Sequence, residues 1–224
     1  MIRGISFGRM FADATFDSYE VSSFNRKAYE ACRRVAESGT GGVVLIGPGG
    51  VGKTHLLAAL ARAFEQRHSV APEEGALVDA VEIPSASELI RTADPDLAED
   101  DSIPSLAPEE FERDVVVEYW PMLELAARLR SAALTTDSTI SEDCCTCDLL
   151  ILDDLGHEKT TDFIMQEFGR IVDWRYREML PIAIATNLTA DKIIREYGEH
   201  TYSRWSESCE IVEVSGEDRR ISGP

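Results

Sequence analysis

Two stretches of the sequence carry residue types that can bind and cleave a phosphate chain. The first, GPGGVGKT, runs from Gly47 to Thr54 and fits the pattern GxxxxGK(S/T). Glycines in such a loop let backbone N–H groups converge on phosphate oxygens, and a helix that starts there adds a positive dipole. The pattern therefore predicts a P-loop between a strand and a helix.

Within this P-loop, Lys53 is expected to reach the β- and γ-phosphates of a bound nucleotide, and the Thr54 hydroxyl to coordinate Mg²⁺. A chance match is improbable because the chain has only 4 lysines. The predicted nucleotide-binding residues of the loop are Gly47, Pro48, Gly49, Gly50, Val51, Gly52, Lys53 and Thr54.

The second stretch is CDLLILDDLGHEK, from Cys147 to Lys159, in which an apolar run leads directly into Asp153 and Asp154. Such a run is typical of a strand buried on both faces. Two adjacent carboxylates at its end repel each other unless a cation lies there. In P-loop proteins an aspartate at this place helps to hold Mg²⁺. We assign that role to Asp153, and the orientation or activation of the attacking water to Asp154.

Two further polar residues follow or precede predicted strands. IAIATN ends in Asn187, whose amide can hydrogen-bond the γ-phosphate or the lytic water, although Thr-Asn after a strand is often only a turn or a helix cap. Arg204 lies in a helical turn, YSRWSE, before the last strand. It is a candidate to reach the γ-phosphate of a neighbouring subunit, with a surface salt bridge as the simpler alternative.

The elements that must position these residues alternate between strands and helices. Five strands are predicted, at VVLIG, VVVEY, CDLLILDD, PIAIATN and EIVEVSG. The stretch VDAVEIPSASELIRTA is an alternative to VVVEYWPMLELAARLRSA as the second strand and helix, and we favour the latter because it leads into the Asp-Asp strand. The first helix has one apolar face, formed by Phe24, Ala28, Ala31, Cys32 and Val35. The pattern predicts an α/β domain with a mainly parallel five-stranded sheet.

Length and charge limit the organisation and the partners. The 224 residues fit a single domain, 1–224, with an acidic insertion at about 94–114 that holds nine acids and three prolines. This insertion is expected to be solvated, with an acidic docking segment as the alternative.

The net charge of −19 excludes a protein that binds nucleic acid over its whole surface. DNA contact would need a local patch, for which the first helix offers Arg26, Lys27, Arg33 and Arg34, or these are simply a solvated face.

The sequence contains no apolar run near the ~20 residues of a membrane helix and no secretory signal, so a cytoplasmic protein without membrane contact is expected. Its five cysteines are an odd number, which disfavours a disulfide framework. Cys144, Cys145 and Cys147 crowd into DCCTC, but this is not a standard zinc spacing. We expect a loop that leads into the Asp-Asp strand rather than a metal or redox site.

Together these motifs resemble the DnaC/IstB-like group of AAA+ ATPases, and more closely its DnaC-type helicase loaders, over about Phe11 to Arg220. VVLIGPGGVGKTHLLAALA is similar to the Walker A region, including His55, and CDLLILDDLGHEKTTDF to Walker B. YREMLPIAIATNL is similar to the sensor-1 strand, and YSRWSESCEIVEVSGEDRR to the closing segment with the arginine finger. ATFDSYEVSSFNRKAYEACRRVAES resembles the segment that lines the adenine pocket in this group.

The resemblance implies a three-layer P-loop NTPase domain without the helical lid, which binds ATP and Mg²⁺ and completes hydrolysis at a subunit interface with Arg204 in trans. It implies a replicative helicase as partner, contact with single-stranded DNA, and self-association into an oligomer or filament. DDLGHEK matches the loader-like form, whereas transposition helpers tend to carry Asp-Glu. The chain departs from the group at His200, where relatives usually have an arginine, and it has only about ten residues before the adenine-pocket segment.

Other functions remain open from the sequence. Within the same family the alternative is an IstB-like transposition helper whose partner is a transposase. A small-molecule phosphotransferase would need an arginine-bearing lid, but the insertion is acidic. A non-enzymatic ATP-binding scaffold is expected only if Asp154 can be replaced without loss of function.

Overall fold

A parallel sheet between two layers of helices forms the framework of the protein. The computed structural model describes residues 1–4, 6–69, 114–135 and 139–219. Over these residues the sheet has the strand order β1-β3-β4-β5-β2-β6, and every pairing is parallel. The strands are β1 (Ile2–Gly4), β2 (Gly42–Ile46), β3 (Val117–Pro121), β4 (Leu149–Leu155), β5 (Ile182–Thr186) and β6 (Cys209–Glu213).

Helices connect these strands, in agreement with the predicted α/β class. In chain order over the described residues they are α1 (Arg26–Ser38), α2 (Lys53–His68), α3 (Met122–Thr135), α4 (Thr139–Thr146), α5 (Asp162–Arg177), α6 (Ala190–Tyr197) and α7 (Glu199–Ser208). A short 3₁₀ turn, Arg9–Phe11, precedes α1. None of the helices in the described ranges combines the length and the apolarity that crossing a membrane requires.

The two faces of the sheet bury two separate apolar cores, because side chains alternate along each strand. One core joins α1 and α2 to residues such as Leu45 and Ile151. The other joins α3 to α7 to the alternate strand residues, such as Val44 and Leu152. This three-layer arrangement confirms the expected P-loop NTPase architecture.

The sheet has one strand more than the predicted five. β1 adds to the free edge of β3, with Ile2 opposite Val117 and Gly4 opposite Tyr119. Three residues are too few for a period-two pattern, so its pairing depends on the partner edge rather than on its own sequence. Phe24 also differs from the prediction, because α1 begins at Arg26 and the Phe24 side chain is 64% exposed.

DCCTC does not form the predicted loop. Cys144 and Cys145 lie in α4, and all three cysteines are buried. Arg175 of α5, itself 1% exposed, donates hydrogen bonds to the backbone oxygens of Cys144, Cys145 and Cys147. A cation at the carboxyl end of α4 stabilises this short helix, a tertiary effect that the local sequence does not reveal. The acidic insertion at about 94–114 lies outside the described residues except for Asp114, and so does VDAVEIPSASELIRTA.

Candidate nucleotide site

The P-loop connects β2 to α2 as predicted, and its glycines shape the turn. Gly50 and Gly52 have φ of +78° and +95°, a left-handed backbone that other residues rarely adopt. Gly52 is the N-cap of α2, and no side chain caps the helix. A helix that starts without a side-chain cap can offer backbone N–H groups of its first turn to phosphate oxygens.

Lys53 is 6% exposed and lies at the inner side of this loop. Its ammonium donates hydrogen bonds to the carbonyl oxygens of Gly47 and Pro48, at 2.7 and 2.8 Å, and to Oδ1 of Asn187 at 2.7 Å. The lysine thus joins the P-loop to the residue that follows β5. β2 and β5 are adjacent in the sheet, which brings the two predicted residues together.

Asp153 lies at the carboxyl end of β4 and is 3% exposed. Its Oδ1 accepts from the backbone N–H of Asp154 at 2.9 Å, and its Oδ2 accepts from the Tyr119 hydroxyl at 3.2 Å. The Thr54 side chain lies beside this carboxylate. Burial, and then the charge of Asp154, raise the pKa of Asp153 above its usual value, and the Thr54 side chain lowers this pKa in part. The two residues predicted to hold Mg²⁺, Thr54 and Asp153, are therefore in contact.

Asp154 points away from that pair and into the open part of the site. Its backbone has φ of +54°, which is a strained conformation for any residue other than glycine. Aspartate tolerates this conformation better than most residues. The β4–β5 register shifts between Leu152 and Leu155, so the strand is irregular where the two acids lie. The Asp154 carboxylate lies 3.7 Å from Nδ1 of His157, and both side chains are half exposed.

A cavity of about 290 Å³ opens in front of these groups. Seven predicted residues line it: Gly49, Gly50, Gly52, Lys53, Thr54, His55 and Asp154. Met10 and Phe11 of the 3₁₀ turn give it an apolar wall, and Arg219 lines it from the carboxyl-terminal segment. The cavity thus combines the predicted P-loop with apolar side chains, a combination that is typical of nucleotide sites.

The amino-terminal segment is fixed over the start of α2. Arg62 of α2 donates hydrogen bonds to the backbone oxygens of Phe11, Ala12 and Ala14. His55 contacts the Ser18 hydroxyl and the Thr15 carbonyl, each at 3.2 Å. Burial lowers the pKa of His55, so it is neutral at physiological pH and supplies a hydrogen bond rather than a charge.

The carboxyl-terminal segment crosses the P-loop from the other side. The Val214 N–H donates to Ile46 at 2.7 Å, and the Arg219 N–H donates to the Gly50 carbonyl at 3.1 Å. The Arg219 guanidinium lies 4.8 Å from the centre of the Tyr19 ring. Gly47 is required where the segment passes, because a Cβ there would collide with the Val214 carbonyl. The predicted ending at Arg220 lies outside the described residues.

Arg204 lies outside this cavity, on α7, and is engaged within its own chain. Its Nε donates to Oδ1 of Asp173 on α5 at 2.5 Å, and its guanidinium lies 4.9 Å from the centre of the Tyr176 ring. Asp173 also contacts Arg177 at 3.3 Å and His200 at 3.8 Å. The side chain of Arg204 is 22% exposed, so the group remains accessible from outside.

The candidate DNA patch on α1 is only partly free. Arg33 pairs with Glu37 at 2.9 Å, and Arg34 pairs with Glu210 at 2.6 Å. Arg26 and Lys27 are in the exposed first turn, with no acidic residue of that turn beside them. The net positive charge of this surface is therefore smaller than the sequence indicates.

The sequence motifs alone do not indicate Tyr119, Arg62 or the lining residues Met10, Phe11 and Arg219. Tyr119 does have a signal in the sequence: it is a residue with a polar tip near the carboxyl end of a predicted strand, VVVEY. In the structure this strand is the neighbour of the Asp-Asp strand. Arg62 is on a regular amphipathic helix, where an arginine is ordinarily a solvated residue. Met10 and Phe11 belong to a segment without periodicity, so nothing in the sequence predicted their place.

The residues at this site fit Mg²⁺ and a nucleoside triphosphate. Thr54 and Asp153 offer hydroxyl and carboxylate oxygens, which are the hard ligands that Mg²⁺ prefers. The uncapped start of α2 and the Lys53 ammonium supply donors and positive charge for phosphate oxygens. The buried cysteines do not resemble such a site, because burial raises the pKa of the Cys147 thiol to about 11 and that of Cys144 further.

Comparisons with known proteins agree with this geometry. A protein-family model described as an AAA ATPase domain matches residues 26–161. No curated protein matches the sequence. Among solved structures, the DnaC helicase loader is similar with a TM-score of 0.66 at 18% identity, over 93% of this chain and 100% of that chain.

Two other structures are similar to the same degree. DnaI has a TM-score of 0.68 at 19% identity, over 98% of this chain and 97% of that chain. The replication initiator DnaA, bound to AMPPCP and single-stranded DNA, has a TM-score of 0.66 at 19% identity, over 93% of this chain and 51% of that chain. At these identities the similarity is one of fold, and at that level the expected resemblance to DnaC-type proteins is confirmed.

Proposed function

Because the chain belongs to the AAA ATPase family, we propose that it binds and hydrolyses ATP with Mg²⁺ and acts as a helicase-loader-like switch in DNA replication. The observation that carries the nucleotide chemistry is that Thr54 of the P-loop lies beside Asp153 of β4. The hydroxyl belongs to the loop that also supplies the buried Lys53 ammonium, and few other functions need that combination.

Each group at the site has a distinct task in this proposal. The first-turn N–H groups of α2 and Lys53 bind the phosphates, while Thr54 and Asp153 hold the metal ion. Bound Mg²⁺ neutralises charge on the phosphate oxygens. Asp154, exposed in the cavity, accepts a proton from the attacking water or orients it. Asn187 positions the same water or the γ-phosphate, a role that its hydrogen bond with Lys53 supports.

Met10 and Phe11 provide an apolar surface for the adenine ring, and His55 fixes the segment that carries them. Their position, before rather than within the segment ATFDSYEVSS, refines the region from which the adenine pocket is drawn. Arg219 reaches the cavity from the opposite side, where a cation is suited to phosphate or to the ring face of a base.

Arg204 completes the site of a neighbouring copy in this proposal. It lies outside the cavity of its own chain and is partly exposed, as a group that acts in trans must be. Asp173 orients the guanidinium until the γ-phosphate of the neighbour competes for it. Self-association is therefore a requirement of hydrolysis.

The proposed partners are a replicative helicase and single-stranded DNA. The similar structures include a protein named as a helicase loader and an initiator bound to single-stranded DNA. DNA would contact a local patch that includes Arg26 and Lys27, since the chain carries a net charge of −19. Ionic contacts with DNA phosphates weaken steeply as the salt concentration rises. A DNA affinity that does not change with salt would therefore exclude binding to the phosphate backbone.

Nucleotide binding and partner capture test the two levels of this proposal. Binding of a fluorescent ATP analogue is measured with and without Mg²⁺ for the wild type, for Lys53→Ala, and for Lys192→Ala as a control lysine outside the site. We expect loss of binding only in Lys53→Ala. Equal binding by all three would exclude the P-loop site.

The partner is tested by capture of a purified replicative helicase on the immobilised protein, with a purified transposase in a parallel experiment. Capture of the helicase is expected, and capture of the transposase alone would favour the transposition helper.

A further inference from the structure

Tyr119 contacts the carboxylate that the proposed function assigns to the metal ion. Its hydroxyl donates to Oδ2 of Asp153 at 3.2 Å, and both side chains are nearly fully buried, at 4% and 3% exposure. Tyr119 lies opposite Ile151 in the β3–β4 register, and Asp153 is two residues further along β4 on the same face of the sheet. A tyrosine side chain spans this diagonal distance, whereas a shorter polar residue does not.

The contact limits how the Asp153 carboxylate can turn. Oδ1 accepts from the Asp154 N–H, and Oδ2 accepts from Tyr119, so each oxygen has one fixed donor. An ionised carboxylate has about four lone-pair directions. The two donors take one direction at each oxygen, and Thr54, the other proposed metal ligand, lies beside the same carboxylate. Removal of the hydroxyl would free the carboxylate to rotate about its terminal torsion, which is intrinsically broad.

The Tyr119 ring is itself held by the amino-terminal segment. Phe7 stacks on it with 3.6 Å between ring centres and 26° between ring planes. β1 pairs with β3 immediately beside it, with Gly4 opposite Tyr119. A side chain added at Gly4 would collide with the Tyr119 carbonyl, so the two strands approach closely here. β1 and Phe7 thus hold the Tyr119 residue in place.

We propose that Tyr119, held in place by Phe7, is a positioning residue that orients Asp153 for Mg²⁺ in the ATP site. The inference rests on the proposed function, because Tyr119 would act on the metal ion only through Asp153, the metal ligand that the proposal assigns. Partners of this kind in metal sites typically change metal affinity by about 10- to 100-fold when they are removed. The amino-terminal segment thereby gains a role in the chemistry that no motif indicates.

The test measures metal affinity directly. Electron paramagnetic resonance of Mn²⁺ is recorded with the full chain and saturating AMPPNP for the wild type, Tyr119→Phe, Phe7→Leu and Tyr197→Phe. Tyr119→Phe keeps the ring and removes only the hydroxyl. Tyr197→Phe is the matched control, since Tyr197 is also buried and donates to another carboxylate, that of Glu158. Phe7→Leu leaves the hydroxyl in place but removes the ring stack.

We expect Tyr119→Phe to weaken Mn²⁺ binding about tenfold or more, Phe7→Leu to weaken it less, and Tyr197→Phe to leave it unchanged. Metal-free affinity for the nucleotide should not change in any variant. Unchanged Mn²⁺ affinity in Tyr119→Phe, or in Phe7→Leu if Tyr119→Phe does not fold, would overturn the inference while leaving the proposed function intact. A wild type that binds no Mn²⁺ with the nucleotide would overturn the proposed function, and the inference with it.

Discussion

The Lys53 ammonium donates a 2.7 Å hydrogen bond to Oδ1 of Asn187, and so connects the P-loop to a residue that follows it by 134 positions. Lys53 also binds two carbonyl oxygens of its own loop. In the proposed function, phosphate oxygens would compete for the same ammonium, so that nucleotide binding and the orientation of the Asn187 amide would be coupled through one side chain. This coupling is the physical basis for a sensor at the end of β5.

Asn187→Ala should therefore separate binding from turnover. The variant keeps the P-loop and should bind ATP nearly as well as the wild type, because Lys53 and the α2 N–H groups remain. Turnover should fall roughly tenfold or more, since a polar group that acts on the γ-phosphate or the water is lost. Thr189→Ala, in the same loop and without a capping bond of its side chain, is the control and should hydrolyse ATP normally. Equal turnover of both variants would remove Asn187 from the site.

Asp154→Asn is expected to bind ATP and Mg²⁺ but to hydrolyse ATP about 10²- to 10⁴-fold more slowly. Asparagine tolerates the positive φ of this position, so the substitution changes the charge and not the backbone. Single-turnover hydrolysis with radiolabelled ATP measures the chemical step. Normal single-turnover rates in this variant would assign proton transfer to another group.

Arg204→Ala should abolish hydrolysis that depends on contact between copies. Arg177→Ala is a matched control, because both arginines pair with Asp173 but the proposal assigns the role in trans to Arg204 alone. Loss of an arginine finger costs about 10³-fold or more in rate. A mixture of Arg204→Ala and Lys53→Ala should recover part of the activity, since one supplies the nucleotide and the other the guanidinium. A mixture as inactive as its components would argue against a site shared between copies.

Arg175→Met should destabilise the fold without touching the nucleotide site. Arg175 is buried and donates to the carbonyls of Cys144, Cys147 and Pro181, which its removal would leave without a charged donor. We expect the free energy of unfolding in urea to fall by about 3 kcal/mol or more. Arg170→Met, on the same helix but with a half-exposed side chain, should cost about 1 kcal/mol or less.

Cys32 should make stability fall at alkaline pH. Burial first, and then the charge of Glu210, raise the pKa of this thiol from 9.0 to about 12. Above pH 9 the unfolded chain releases a proton that the folded state keeps, so the free energy of unfolding decreases as pH rises toward 12. Cys32→Ala lacks this contribution, and its stability should fall less steeply, by up to about 1.4 kcal/mol per pH unit. Identical slopes from urea unfolding at pH 9 to 10.5 would contradict the assignment.

The sequence was sufficient for the features that follow from local pattern. The P-loop, the Asp-Asp strand and Asn187 lie at the expected positions in the sheet, because parallel strands carry their carboxyl ends to one edge, so that polar ends converge. The contacts of Lys53 with Asn187 and of Thr54 with Asp153 express that rule.

Features that depend on partners far along the chain could not be predicted. β1 exists because β3 offers a free edge, and α4 is stabilised by Arg175 from another helix. The hydrogen bond from Tyr119 to Asp153 depends on the relative register of two strands, which no single stretch encodes. The pairing of Arg204 with Asp173 likewise needs α5 and α7 to be packed together.

Turnover of ATP per chain, measured across protein concentration with and without single-stranded DNA, tests the central claim most directly. A Mg²⁺-dependent ATPase whose site is completed by Arg204 of a second copy predicts a rate per chain that is low in dilute protein. That rate should rise with concentration, and rise further on DNA. A rate per chain that is constant over the whole concentration range and unchanged by Arg204→Ala, or the absence of any turnover, would contradict the account.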